Sequence, residues 1–211
     1  MRLIMFGAPG SGKGTQADLL CARLGVPSVS TGNILRAAIA AGTEVGAEAE
    51  QYVTSGRLVP DEIMLRLITE RLAKPDCEKG FILDGYPRTL PQAQALEAAG
   101  VEIDAVVSID TQDADIERRL SGRRVCGGCG KSYHVTYNPP AKEGICDDCG
   151  SPVTRRPDDD PQVVASRLRL YHSTTEPLRA RYEEMGLLRS VDAGGGIAEI
   201  AERVLAALGV R

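Results

Sequence analysis

Nine consecutive residues, Gly7-Ala8-Pro9-Gly10-Ser11-Gly12-Lys13-Gly14-Thr15, are the first place in this 211-residue chain where residue type and spacing imply chemistry. Glycines so spaced let the backbone curl until successive N–H groups face one anion, and a helix opening at the end of the run adds positive potential. A lysine at that point supplies a full charge for the β- and γ-phosphates of a nucleotide. The hydroxyl that usually follows the lysine stands one position later here, with Gly14 preceding Thr15. An ordinary glycine-rich turn with a helix cap is the plain alternative, and it leaves both the lysine and the spacing unexplained.

A second run, Phe81-Ile82-Leu83-Asp84-Gly85-Tyr86-Pro87-Arg88-Thr89, is followed by Gln92. A carboxylate at the C-terminal end of a buried parallel strand lies where doubly wound sheets bind ligands. Asp84 there is suited to orienting magnesium, directly or through water. Arg88 is suited to forking onto a phosphate, and Gln92 to pairing bidentately with an adenine edge. Taken alone, Asp84 reads equally well as a helix cap and Gln92 as a solvated side chain. Arg88 falls in this run, whereas Arg36, Arg119, Arg123, Arg156 and Arg167 lie outside both runs. A single arginine is ordinarily solvated or ion-paired, but several converging ones match the negative charge that phosphoryl transfer spreads over its oxygens. The two histidines, His134 and His172, suggest no general base. An acceptor phosphate with a second pKa near ~6 needs none.

The third constellation is Cys126-x-x-Cys129 and, after sixteen residues, Cys146-x-x-Cys149. Four thiolates so spaced form a closed tetrahedral site with no open position, which makes its role structural. Sulfur ligation admits zinc or iron, and two disulfides or free thiols are the alternatives. His134 would be a fifth ligand and is expected to be structural, while Cys21 and Cys77 read as buried or spectator thiols. The run Asp158-Asp159-Asp160 before Pro161 reads as a solvated helix cap.

Such side chains need a scaffold. Apolar runs at Leu3–Phe6, Gly80–Asp84, Ala105–Ile109 and near Leu188–Val191 are separated by helical patterns, which predicts a parallel sheet covered on both faces. Ile197, Ile200, Val204 and Leu208 fall on one stripe of a final packing helix. Two segments break the alternation. Residues 30–59 carry a helix start at Thr31-Gly32 and two Ala-rich helical stretches, and residues 122–159 carry both cysteine pairs amid frequent glycines, reading as loops and short strands. The fold expected is α/β, a doubly wound parallel sheet with helices on both faces and two small insertions in one core.

Composition narrows the function. Hydrophobic residues make up 43%, which argues against a disordered chain, and 25 Lys and Arg against 29 Asp and Glu leave a net charge of −4. That balance and an aromatic content of 4% with no Trp give little basis for nucleic-acid binding. Within the cysteine segment, basic and acidic residues nearly cancel, so a zinc-ribbon nucleic-acid binder is a weak alternative. The opening apolar run stops at Gly7, too short for a signal peptide, and nothing reaches a membrane span, so a cytoplasmic location is expected. Neither asparagine, Asn33 or Asn138, begins an Asn-Lys-x-Asp guanine motif.

Together the glycine loop, Ser30-Thr31-Gly32-Asn33, Leu35-Arg36, Gly56-Arg57-Leu58-Val59, the Asp84–Gln92 run, Gly122-Arg123-Arg124, Tyr133-His134, Asn138-Pro139-Pro140, Arg155-Arg156, Asp158-Asp159 and Arg167 resemble the adenylate kinase family, in its long-lid bacterial form with a four-cysteine zinc site. The resemblance implies a P-loop core over 1–29, 60–121 and 160–211, an AMP-binding insertion over 30–59 and an ATP lid over 122–159. It implies that Thr31, Arg36, Arg57, Leu58, Val59, Gly85, Tyr86, Pro87, Arg88 and Gln92 hold AMP. ATP would be held by Gly10, Ser11, Gly12, Lys13, Gly14, Thr15, Arg119, Arg123, Ser132 and Tyr133, with a contact from Gly195 to adenine. Arg156 and Arg167 would reach the transferring phosphates, and Asp158 and Asp159 would pair with arginines as the lid closes. The implied reaction is Mg-ATP plus AMP giving two ADP, in a monomer with structural zinc. A kinase of UMP or CMP is the nearest alternative, discriminated mainly by Thr31 and Gln92.

Overall fold

The computed structural model describes residues 1–210. The chain runs β1 (Arg2–Phe6), α1 (Lys13–Leu24), β2 (Ser28–Ser30), α2 (Thr31–Ala40), α3 (Glu44–Ser55), α4 (Asp61–Leu72), β3 (Phe81–Asp84), α5 (Leu90–Ala98), β4 (Ala105–Asp110) and α6 (Asp113–Gly122). It continues through β5 (Arg123–Cys126), β6 (Ser132–His134), β7 (Val153–Thr154), α7 (Pro161–Leu170), α8 (Leu178–Glu184), β8 (Leu188–Asp192) and α9 (Ile197–Leu208). Among the described residues, no helix is long and apolar enough to cross a membrane.

Five strands in the order β2-β3-β1-β4-β8 form a wholly parallel sheet. Alternation along β1 serves two layers at once. Ile4 and Phe6 point into a core with Ile68 of α4, Leu96 of α5 and Tyr182 of α8, while Leu3 and Met5 meet Ala17 and Leu20 of α1 and Ile200 and Val204 of α9. A strand buried on both faces must be apolar throughout, which is why these runs are continuous instead of alternating. The expected doubly wound α/β fold is present. The strand β2 was not foreseen: Ser-Val-Ser contributes only Val29 to the core, and pairing Ser30 with Asp84 is a tertiary event.

The two irregular segments take different forms. Residues 122–159 hold a second, antiparallel sheet in the order β6-β5-β7, whose own core is only Cys126, Tyr133, Cys146 and Val153. In the 30–59 segment, α2 and α3 pack as a close pair. Thr43 caps α3, its hydroxyl accepting from Gly46 N at 3.1 Å, and a Cβ on Gly46 would lie 2.2 Å from the Ala38 carbonyl oxygen. Backbone therefore approaches backbone at a distance only glycine permits. Gly46→Ala is expected to push α3 off α2 and destabilise the protein by about 1–3 kcal/mol. Thermal unfolding reads this directly, and an unchanged midpoint would show that the two helices need no such contact.

Candidate active site

β1 delivers the chain into the glycine loop, and α1 opens at Lys13. Ser11 N donates to Ala8 O at 3.1 Å, closing the loop. Gly10 has φ +81, and a Cβ there would sit 2.7 Å from Leu120 Cγ, so only glycine lets the loop lie against α6. The Lys13 ammonium donates to Ala8 O at 3.0 Å. Burial pushes its pKa down from 10.5 to about 8, with Asp84 opposing the fall and Arg88, Arg167 and Arg123 adding to it. A half-buried cation with one neutral carbonyl partner beside several arginines is a site deficient in negative charge.

Asp84 ends β3 on the other side of this cleft. Its Oδ2 accepts from Ser30 Oγ at 3.2 Å, while Oδ1 is buried without a partner. That orphaned oxygen suits a magnesium ion, or water on one, accompanying a nucleotide into the cleft. Gly10 through Thr15, Asp84, Arg119, Arg123, Ser132 and Gly195 all line the cleft.

A second cavity opens between the α2–α3 pair and the start of α5. Thr31, Arg36, Arg57, Leu58, Val59, Gly85, Arg88 and Gln92 line it together with Leu35, Val53 and Met64. Thr31 Oγ1 donates to Gly85 O at 3.1 Å, and Arg88 Nε donates to the same oxygen at 2.7 Å. Arg36 donates to Asn33 Oδ1 at 2.7 Å. Tyr86 and Pro87 do not line this cavity: Tyr86 is buried beneath it, donating to Gln92 O at 3.3 Å, and Pro87 faces the small adjoining space. Gln92 is buried, not solvated.

Two of the remaining arginines, Arg123 and Arg167, are held by a buried aspartate pair. Arg123 Nε donates to Asp159 Oδ2 at 2.8 Å, and Arg167 donates to Asp158 Oδ2 and to its backbone oxygen, both at 2.9 Å. Burial alone would raise Asp158, but Arg167, Arg156, Arg123 and Arg36 outweigh it and hold the carboxyl below its ordinary value. Arg156 has the opposite problem, since burial and then Arg123 and Arg36 work against its charge, and its Nε is buried without a partner. Both readings of the aspartate run are thus realised, on different residues. Asp158 and Asp159 pair with arginines, and Asp160 caps α7 by accepting from Gln162 N at 3.0 Å.

A phosphate-loop lysine, a neighbouring second cavity and a shared ring of arginines have a match over most of the chain. The family model described as adenylate kinase covers residues 5–187. The chain belongs to the adenylate kinase family. It is 49% identical to the adenylate kinase of Caldicellulosiruptor saccharolyticus over the whole of both chains. It is also 47% identical to that of Ruminiclostridium cellulolyticum, again over the whole of both. The adenylate kinase of Geobacter sp. strain M21 is 48% identical, with 99% of each chain covered.

Against the family pattern, the lid-side residues divide. Ser132 and His134 flank Tyr133 on β6, and strand alternation sends Tyr133 inward. Its ring is buried in the small core of the antiparallel sheet, and its hydroxyl, accepting from Asp147 N at 2.8 Å, lies 3.3 Å from Cys146 Sγ. The Tyr133 hydroxyl therefore faces the cysteines, while the residue itself still borders the cleft beside Ser132. Tyr137, which sequence reasoning passed over, is exposed, lines the cleft and stacks on His134 with ring centroids 4.3 Å apart. His134 Nδ1 accepts from Thr136 N and Tyr137 N, a structural role as expected. Arg119 ties the glycine loop to the loop before α9, donating to Ser11 O at 2.9 Å and Ala193 O at 2.7 Å. Gly195, in that second loop, has φ +96.

The four cysteine sulfurs lie within 4.8 Å of one another. Cys126 and Cys149 are 3.3 Å apart, and Cys129 and Cys146 are 3.6 Å apart. Tetrahedral zinc with Zn–S near ~2.3 Å places its sulfurs about 3.8 Å apart, so the cluster fits such an ion with little adjustment. Gly128 N and Cys129 N both donate to Cys126 Sγ, at 3.3 and 3.4 Å, as suits a sulfur bearing negative charge. Cys77 is buried under Arg71, and burial lifts the Cys21 thiol to about 11, so neither is an activated nucleophile.

Proposed function

We propose that this protein catalyses reversible transfer of the γ-phosphoryl group from Mg-ATP to AMP, giving two ADP. The observation that carries the proposal is that Arg88 and Arg167 line both the cleft over the glycine loop and the neighbouring cavity. Two phosphate chains lying one in each space would meet at the same guanidiniums. Gly10–Thr15 with Lys13 would hold the donor phosphates, and Arg119, Ser132, Gly195 and the exposed ring of Tyr137 would surround its base. Thr31, Arg36, Arg57–Val59, Gly85, Arg88 and Gln92 would hold AMP, and Asp84 would hold the magnesium that accompanies ATP.

Little covalent chemistry falls to the protein. The AMP phosphate brings its own anionic oxygen, so the residues need only align it with the γ-phosphorus and balance charge as it spreads onto the equatorial oxygens. Arg123, Arg156 and Arg167 supply that charge from one side, Lys13 and Arg88 from the other. Residues 30–59 and 122–159 would act as flap and lid over the core, closing to keep water from accepting the phosphoryl group. The four cysteines would hold a structural zinc that fixes the lid's shape and takes no part in the reaction. All these groups come from one chain, so the reaction as proposed needs no residue from a partner subunit.

The deciding measurement is ADP formation from ATP with AMP, CMP, UMP and GMP as acceptors. AMP is expected to be preferred by about tenfold or more in kcat/KM. Rapid turnover with CMP or UMP and none with AMP would replace the assignment by a pyrimidine monophosphate kinase.

A further inference from the structure

Gln92 is the one buried amide of the acceptor cavity, and two groups of opposite character grip it. Arg88 N donates to Gln92 Oε1 at 2.7 Å, and Gln92 Nε2 donates to Asp61 Oδ1 at 2.6 Å. Asp61, the first residue of α4, has its other oxygen occupied as well, Oδ2 accepting from Thr89 Oγ1 at 3.1 Å. The Thr89 hydroxyl must donate there, because a carboxylate oxygen only accepts, and its own oxygen caps α5 by accepting from Gln92 N at 3.2 Å.

A side-chain amide can ordinarily turn over, exchanging its oxygen and nitrogen with little change of shape. Here it cannot. A backbone N–H only donates and a carboxylate only accepts, so reversal would set N–H against N–H on one side and oxygen against oxygen on the other. Both good bonds would become repulsive contacts inside the protein, where unmet polar groups are most expensive. The locked amide keeps one lone pair and one N–H unused, in a fixed order.

That order distinguishes purines. Adenine presents an amino donor at C6 beside the N1 acceptor, whereas a 6-oxopurine presents an acceptor at C6 beside an N1–H donor. A freely turning amide would serve either edge. We propose that Asp61 is a specificity-determining positioning residue, whose carboxylate locks the Gln92 amide so that the acceptor site takes a 6-aminopurine monophosphate and rejects a 6-oxopurine one. The proposal rests on the acceptor base lying at Gln92, as the function proposed above requires. Asp61 touches neither phosphate nor reacting atoms and acts only through the amide.

The test compares AMP with inosine monophosphate, which differs from AMP only at that edge. Asp61→Asn is the informative change, because an asparagine that keeps its oxygen on Thr89 turns its NH2 toward Gln92 and opposes the parent orientation, leaving Arg88 N alone to hold it. Asp61→Ala removes the grip without favouring reversal. The preference for AMP over inosine monophosphate in kcat/KM is expected to fall by about tenfold or more in Asp61→Asn and by less in Asp61→Ala. The KM for ATP should stay within about twofold in both, since the donor site lies elsewhere.

A merely structural Asp61 gives the reverse ranking, with alanine worse than asparagine and with the ATP KM and thermal midpoint moving too. That ranking, or an unchanged preference in Asp61→Asn, overturns the proposal. Gln92→Ala separates this failure from failure of the underlying reading. If it leaves the KM for AMP unchanged, the base does not lie at Gln92 and the clamp falls with it. If the KM rises while the Asp61 variants keep the parent's preference, only the clamp is lost.

Discussion

Replacing Lys13 by methionine is expected to lower kcat by about 10³-fold and at the same time to make the nucleotide-free protein more stable. Both effects come from one fact. The ammonium is half-buried, its one hydrogen bond goes to the neutral Ala8 carbonyl, and its pKa falls from 10.5 to about 8. A lysine whose folded pKa lies below its unfolded value burdens the fold most when fully protonated. Between pH 8 and 10.5 the unfolded chain binds more protons than the folded one, so stability of the parent rises with pH through that window and the burden is full below it. A displacement of this size corresponds to about 3 kcal/mol at neutral pH. Methionine, of similar length and uncharged, removes the burden and with it the charge that phosphates would meet.

Calorimetry provides an independent reading of the same group. Bound polyphosphate raises the lysine pKa again, so ATP binding at pH 8 should take up about half a proton per chain, and Lys13→Met should abolish that uptake. Activity retained in full by the variant would remove Lys13 from the reaction. Proton uptake that survives the substitution would assign it to another group.

How much of this site could be read from the chain depended on whether each requirement was local. The glycine loop was legible because curling a backbone around an anion needs particular residues in immediate succession, and the cysteine pairs because one ion fixes their spacing. Asp61 was not legible. Its significance arises only when the start of α4 is brought against Thr89 and Gln92, about thirty positions further along, and nothing in Pro60-Asp61-Glu62 distinguishes it from an ordinary acidic first turn.

Tyr133 marks an intermediate case. Strand alternation at Ser132-Tyr133-His134 would have turned its ring inward had those three residues been taken as a strand, but so short a run among glycines carries no periodic signal. The same limit hid β2. The three aspartates at 158–160 were chemically indistinguishable until the fold buried two against arginines and left the third at the end of α7.

Removing the metal from the four-cysteine cluster, by chelation or by Cys126→Ser, is expected to lower the thermal midpoint by about 10 °C, more than it impairs the reaction at low temperature. The β5–β7 sheet has almost nothing else to hold it. Of its four core residues two are themselves cysteines of the cluster, and Tyr133 adds a hydroxyl resting on Cys146. A segment of this size cannot bury enough apolar surface to offset the ordering of its backbone. An ion that binds only the folded segment, present at about a thousand times its dissociation constant, contributes roughly 4 kcal/mol. Spread over a chain of this length, that energy corresponds to the shift stated. Amide exchange locates the effect: amides of β5 and β6 should lose protection on chelation while those of β1 and β4 keep theirs, because the parallel sheet shares no core residue with the lid. Metal analysis should find one ion per chain and also decides between zinc and iron, both of which four-thiolate ligation admits. A midpoint indifferent to chelation, with the β5–β6 amides still protected, would mean that the sulfurs meet for packing alone.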